Sequence, residues 1–471
     1  MKKLLFLILL FSFFLSQAQN PDIKRTWHWY FGLGAGLDFS GATLSNDTIN
    51  SMNGIEACAI LSDTSGNLLF YSNGDTVWDR THAIMPNGTG LFGCGSSTSG
   101  VLIVPDPGHS NLYFIFTTDC AEDSGKLGLR YSIVDLNQNG GNGDLILKNK
   151  LLFAPSAEKL CAVYNCDSSG FWIVSHEAWT NNYRAYSLTQ AGLDSLPVIS
   201  STGTSGFGMP PYYALVGNQK ISPDGERIAY ALIPFPNSIL ELSNFNRNTG
   251  VIYNTISLPP DTSNYGIEFS QDNSKLYVSG GYHLNCIHQF DLSSGNAMTI
   301  VNSKTLIGSD PFNYMLDLQL GSDGRIYVAH YYKDTIGAIK FPNITGLSCS
   351  YIDKYFSLDS KVCHETFPDF VNSFFRISQS TCADGVQDLS LNNVMVNYSM
   401  GSDKIIISSG DEMSCAIGIY DINGAMEFFS EASISMREVV IVDVGHLSNG
   451  IYLLTVQSDN FYLTKKIIKI N

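Results

Sequence analysis

The sequence is poor in charge. Asp, Glu, Lys and Arg make up only 15% of its 471 residues, against a usual share of about 25%. Basic residues are the scarcer sign, with 27 Lys and Arg against 43 Asp and Glu, giving a net charge of −16. They form no long basic run. Binding to nucleic acid needs clustered Lys and Arg to neutralise phosphates, so that class is excluded. After the first fifteen residues, no stretch reaches the roughly 18 apolar residues of a membrane span. The 42 glycines have no period of three, and no heptad is sustained, so collagen and coiled coil are excluded. Cys-x-x-Cys, Gly-x-Ser-x-Gly and His-x-x-x-His are all missing. Zinc ribbons, thioredoxin-like centres and the nucleophile elbow of hydrolases therefore lack a basis.

What is present is apolar and aromatic. The chain is 44% hydrophobic and 12% aromatic, enough for a large core. Its first residues have a secretory layout. Lys2 and Lys3 precede an apolar run, Leu4 to Leu15, and Ser16-Gln17-Ala18 supplies small residues for cleavage after Ala18. Residues 1–18 are expected to be a signal peptide, which leaves a mature chain without a membrane span. Export permits disulfides. Cys161 with Cys166, and Cys349 with Cys363, are the local candidate pairs. Cys58, Cys161, Cys286 and Cys415 also sit in apolar runs, where a thiol packs as a small hydrophobe.

A pattern then repeats. An apolar run leads into a turn of Asp or Asn with Gly or Ser, followed by a second run rich in aromatic and β-branched residues. The clearest copies hold Ser222-Pro223-Asp224-Gly225, Gly321-Ser322-Asp323-Gly324 and Ser270-Gln271-Asp272-Asn273. The turn aspartates Asp63, Asp106, Asp167, Asp224, Asp272 and Asp323 are about 43 to 61 residues apart. Units of roughly 50 residues with several short strands and no long helix predict β-propeller blades. Third strands are expected at 184–189, 239–245, 286–292 and 336–341, and fourth strands at 251–258 and 298–306. The segments 26–31 and 36–39 resemble a blade that lacks its inner strand, and Phe367 to Phe375 would supply that strand. The expected fold is all-β: a seven-bladed propeller at 19–376, closed by its two ends. A polar linker at 377–388 and a small β-sandwich at 389–471 follow.

The last part carries a specific resemblance. Ile419-Tyr420-Asp421-Ile422-Asn423-Gly424, then Leu447-Ser448-Asn449-Gly450-Ile451-Tyr452-Leu453, then Thr464-Lys465-Lys466-Ile467 resembles the type A sorting domain of type IX secretion substrates in Bacteroidota. Gly424, Gly450, Ile451, Tyr452, Lys465 and Lys466 match the motif. The resemblance implies recognition by the type IX machinery, passage across the outer membrane, and release or attachment at the cell surface. The opening segment, Trp29-Tyr30-Phe31-Gly32 with Gly66-Asn67-Leu68-Leu69-Phe70-Tyr71, resembles exported propeller proteins with loose WD40-like repeats. That resemblance implies a fold and no activity.

In a propeller, two sets of loops share one face. Here they are rich in rings: Trp179, Tyr183, Tyr212, Tyr213, Tyr282, His283, Tyr331 and Tyr332. Flat apolar faces with polar rims suit an extracellular glycan or protein ligand. Packing between blades uses the same residue types. The first expectation is thus a secreted binding module. An enzyme acting on polysaccharide or peptide is the second, with His176, Glu177 and His330 as the residues to test. A structural or adhesive role is the third. Inner strands carry Glu56, Glu158, Glu268, Asp317 and Glu365. Of these, Glu56, Glu268 and Asp317 are the candidate ligands for Ca²⁺, which seeks several oxygens. No other cofactor is expected.

Overall fold

Short turns centred on aspartate organise the chain, and their mechanism is visible. Asp224 Oδ1 accepts the amide of Glu226 at 3.0 Å, Asp272 Oδ1 that of Ser274 at 3.0 Å, and Asp323 Oδ1 that of Arg325 at 3.1 Å. Each side chain thereby closes a turn two residues ahead. The following residue takes a left-handed conformation: Gly225, Asn273 and Gly324 have φ of 77°, 63° and 78°. Gly and Asn tolerate this region best.

The computed structural model describes residues 20–205, 214–233, 238–261, 263–281, 285–377, 394–399, 404–409, 413–421, 424–434, 439–458 and 461–469. The expected signal peptide and most of the expected linker lie outside these residues. The chain divides into two units, 1–381 and 382–471. Among the described residues of the first unit, seven antiparallel sheets follow one another in chain order. This is a β-propeller, and the seven sheets agree with the expected blade count. Six of them begin with an inner strand: Ala59–Ser62, Val101–Pro105, Ser156–Tyr164, Gln219–Ile221, Ile267–Phe269 and Met315–Leu320. Each inner strand touches the next in this order. These strands are buried almost throughout.

The first sheet, His28–Phe31, Ala35–Asp38 and Ser45–Asn46, lacks an inner strand, as expected. The closing segment behaves differently from expectation. Phe367 to Phe375 forms no ladder with His28–Phe31 and ends in a 3-10 turn, Asn372–Phe375. It bonds sideways instead. The Asp369 amide donates to Cys58 O at 2.9 Å, and the Phe367 amide to Asp317 Oδ2 at 3.0 Å. One segment thus links the inner strands of the second and seventh sheets. Rings hold it in place: Trp29 lies 5.3 Å from Phe367 and 6.0 Å from Phe370, and also 5.6 Å from Tyr327 of the seventh sheet. Aromatic contacts of this kind add about 0.5–1.5 kcal/mol each beyond area burial.

Two other expectations need correction. The fourth strand of the sixth sheet is Thr305–Ser309; Ala297–Asn302 before it is helical. Asn296 caps that helix by accepting the Thr299 amide at 3.0 Å, a local signal that outweighs β-propensity. The cysteine pairs also differ. Cys94 is bonded to Cys120, Cys166 sits in a disulfide, and Cys161, Cys349 and Cys363 are free. Cys58, Cys161, Cys286 and Cys415 are buried thiols, as expected.

The second unit has two sheets. One holds Val394–Ser399, Lys404–Ser409 and Val439–Asp443; the other holds Met426–Ile434, Met413–Asp421, Gly450–Ser458 and Phe461–Lys469. Ile405, Ile407, Ile417, Ile419, Leu454 and Val456 form their shared core.

Candidate functional site

One apolar floor lies where inner strands begin and second strands end. It is built from Ala121, Ala157, Ala178, Leu215, Val216, Ile233, Tyr265 and Leu316, contributed by the third to seventh sheets. Trp179 and Tyr331, predicted for the binding face, both pack on it. Trp179 occupies the turn between Phe171–Glu177 and Asn182–Thr189 and has φ of 61°. Its carbonyl accepts Ser205 Oγ at 3.0 Å. A bulky residue in this conformation is strained, and such strain gathers where a side chain must be presented.

Beside Trp179 lies a hollow of about 640 Å³, lined also by Glu122, Asp123, Ser124, Lys126, Ala154 and Pro155. Its polar rim is held in place. Glu122 Oε1 accepts Ser96 Oγ at 2.8 Å, and Lys126 Nζ meets Asp123 Oδ1 at 2.9 Å. The Cys94–Cys120 disulfide anchors the rim's N-terminal end. Gly125 is required here: a Cβ would lie 1.9 Å from Ser156 O. The wall is thus one indole and the rim is carboxylate and ammonium. Neither Glu122 nor the disulfide was foreseen, because their neighbours in space are distant in sequence.

A second group of rings joins Tyr331. Its centroid is 5.8 Å from Tyr332, 5.3 Å from His364 and 6.2 Å from Tyr314. Tyr332 is 56% exposed and sits in a turn with φ of 59°. Tyr183 belongs elsewhere: it is buried, against the expectation of a face residue. Tyr212, Tyr213, Tyr282 and His283 lie outside the described residues.

The three candidate catalytic residues are not brought together. His176 is buried edge-on to Tyr183 at 4.7 Å and tilted on Tyr230 at 4.8 Å. Burial pushes its pKa down to about 3, and Lys159 adds to the effect. Glu177 Oε2 accepts Arg184 Nη2 at 2.8 Å. His330, in another sheet, is buried with Nε2 3.2 Å from Tyr351 Oη. Each is engaged in packing or pairing within its own sheet or with the adjoining one.

The inner carboxylates are buried more deeply than a channel mouth implies. Glu268 Oε2 takes Lys220 Nζ at 3.0 Å and the Leu320 amide at 3.0 Å. Asp317 Oδ1 takes Asn218 Nδ2 at 3.0 Å. Glu158 takes the amides of Thr98 and Ala121 at 3.0 and 2.7 Å, yet burial still raises it to about 7. Glu56 accepts the Tyr265 hydroxyl and hydrogen-bonds Glu365; burial and then the charge of Glu365 push it well above the usual carboxyl range. The candidate calcium ligands Glu56, Glu268 and Asp317 are therefore each held by partners of their own.

The tail brings its motif residues onto one sheet. Gly450–Ser458 pairs with Met413–Asp421 on one side and Phe461–Lys469 on the other, with Leu454 opposite Lys465 and Leu453 opposite Lys466. Tyr452 is buried and its hydroxyl donates to Ser448 O at 2.9 Å. Ile451, next to it, is exposed. Gly424 has φ of 83° in the turn that links Met413–Asp421 to Met426–Ile434. Residues 401–471 match the family of secretion system C-terminal sorting domains. The chain carries a type IX sorting tail. Such a tail addresses its protein for export by the type IX machinery to the cell surface or the extracellular space. No curated protein matches the chain. Among solved structures, a 6-phosphogluconolactonase-like protein of Bacteroides uniformis is 14% identical, with a TM-score of 0.47, over 71% of this chain and 98% of that one. A quinoprotein alcohol dehydrogenase-like protein of Bacteroides thetaiotaomicron is 13% identical, with a TM-score of 0.40, over 74% and 77%. At such distances neither says anything of this chain's chemistry. No described helix is long and apolar enough to cross a membrane.

Proposed function

We propose that the protein is an exported binding module whose propeller recognises a glycan or peptide at the hollow beside Trp179. The supporting observation is the pairing of a strained, half-buried indole with an anchored acidic rim over an apolar floor. An indole offers a flat face for a sugar ring or an apolar side chain, and the rim offers hydrogen bonds around it. Tyr332, exposed near Tyr331, extends the face. On this reading, residues 1–18 serve as the signal peptide, and N-terminal sequencing of the secreted chain should begin at Gln19.

A glycan and peptide array with the full secreted chain tests the reading. Retention of one ligand class is expected, with Trp179→Ala weakening it at least about tenfold, since a hot-spot ring carries roughly 2 kcal/mol or more. Retention that survives both Trp179→Ala and Tyr332→Ala would place recognition elsewhere and overturn it.

A further inference from the structure

Three side chains of different chemistry converge on the sixth sheet. Cys286 and His288 lie two residues apart on the strand Cys286–Asp291, which places both on one face of it. Asp261 arrives from the connection into the inner strand Ile267–Phe269. His288 Nδ1 is 3.7 Å from Cys286 Sγ and 2.8 Å from Asp261 Oδ2. All three donor atoms lie within 4.8 Å of one another.

Asp261 Oδ2 is buried, has no well-aligned hydrogen bond among the described residues, and lies 2.8 Å from the imidazole nitrogen. The carboxylate is held from its other side. Lys304 Nζ lies 2.8 Å from Asp261 Oδ1 and also donates to Pro259 O at 2.9 Å. Lys304 therefore fixes the carboxylate while leaving Oδ2 beside the sulfur and the nitrogen.

We propose that Cys286 Sγ, His288 Nδ1 and Asp261 Oδ2 bind a thiophilic divalent cation of the zinc type. One sulfur, one nitrogen and one oxygen is a zinc donor set; calcium and magnesium take oxygen alone. The spacing suits it. With metal bonds of about 2.3 Å to sulfur and about 2.0 Å to nitrogen, a tetrahedral S···N edge is about 3.5 Å, close to the observed 3.7 Å. The N···O pair, now 2.8 Å apart, opens by about 0.5 Å to reach its tetrahedral edge. The thiol releases one proton to solvent as the metal–sulfur bond forms. Binding therefore weakens at low pH.

The test uses the full secreted chain, stripped with a chelator, then titrated with Zn²⁺ by calorimetry and with Co²⁺ by absorption. One Zn²⁺ per chain is expected, with about one proton released per ion. Co²⁺ is expected to give a thiolate-to-metal charge-transfer band. Cys286→Ser should abolish the band and raise the Zn²⁺ Kd at least about tenfold, since even outer-shell changes weaken such sites roughly 10–100-fold. His288→Gln should weaken binding but keep the band, and Cys161→Ser should change neither. Absence of Zn²⁺ uptake by the folded wild-type chain would overturn the proposal. So would uptake without the cobalt band, or uptake that His288→Gln leaves unchanged. The cobalt spectrum of the wild type decides the matter even where Cys286→Ser fails to fold.

Discussion

Lys220 Nζ and Glu268 Oε2 stand 3.0 Å apart, with side chains only 3% and 2% exposed. Lys220 also donates to Leu318 O at 2.9 Å and Gln319 Oε1 at 2.6 Å, so one ammonium joins the inner strands of three successive sheets. Charges taken this far from water are tolerated only when every partner is in place.

Removing one partner should therefore be severe. Lys220→Met is expected to lower stability by about 3–5 kcal/mol, because Glu268 would be left buried and unpaired. Lys220→Met with Glu268→Leu should recover part of that loss. Urea unfolding of the two variants checks this; a double variant no more stable than Lys220→Met would contradict it.

The buried carboxylates predict an unusual pH dependence. Burial, then the charges of Glu365 and Glu158, raises Glu56 above its ordinary value of 4.5. A raised carboxyl contributes stability that is fully present below the unfolded pKa and lost as pH climbs through the folded one. Gln at this position cannot ionise. The melting temperature of Glu56→Gln relative to wild type should thus increase between pH 4 and pH 8. Glu158, raised to about 7, titrates in the same sense, so a weaker slope should persist in the variant. Lys159 acts in the next window. Burial lowers it from 10.5 to about 7, so its contribution is lost as pH falls from above 10 towards 7. An offset between Glu56→Gln and wild type that ignores pH would contradict this account.

The disulfide should support both fold and recognition. Cys94 and Cys120 are 26 residues apart, and closing such a loop in the unfolded chain is worth about 3–4 kcal/mol. The variant with Ser at both positions should unfold at a correspondingly lower urea concentration. Because Cys120 immediately precedes the 3-10 turn Ala121–Asp123 on the rim, the same variant should also bind the array ligand more weakly. Unchanged binding would separate the rim from recognition.

Local chemistry settled much of this molecule before any folding was considered. The Asp-centred turns need only an aspartate and the amide two residues on, so the repeat, the blade count and the tail sheet were legible as sequence. The Gly-Ile-Tyr segment and the paired lysines marked the sorting tail for the same local reason. Ring-rich loops pointed to Trp179, Tyr331 and Tyr332, but the same composition named Tyr183 and His176, which the structure buries together. Composition cannot tell a ring on a face from a ring between sheets, because both are driven by the same apolar burial. The remaining features depended on chain segments far apart. Phe367 to Phe375 bonds to Cys58 and Asp317 rather than to His28–Phe31. Cys161 and Cys349 stay free although Cys166 and Cys363 lie near them in sequence. Lys220 answers Glu268 across two sheets, and Asp261 reaches Cys286 and His288 from outside their strand. These contacts exist only once the sheets are packed, and tertiary structure alone decided them.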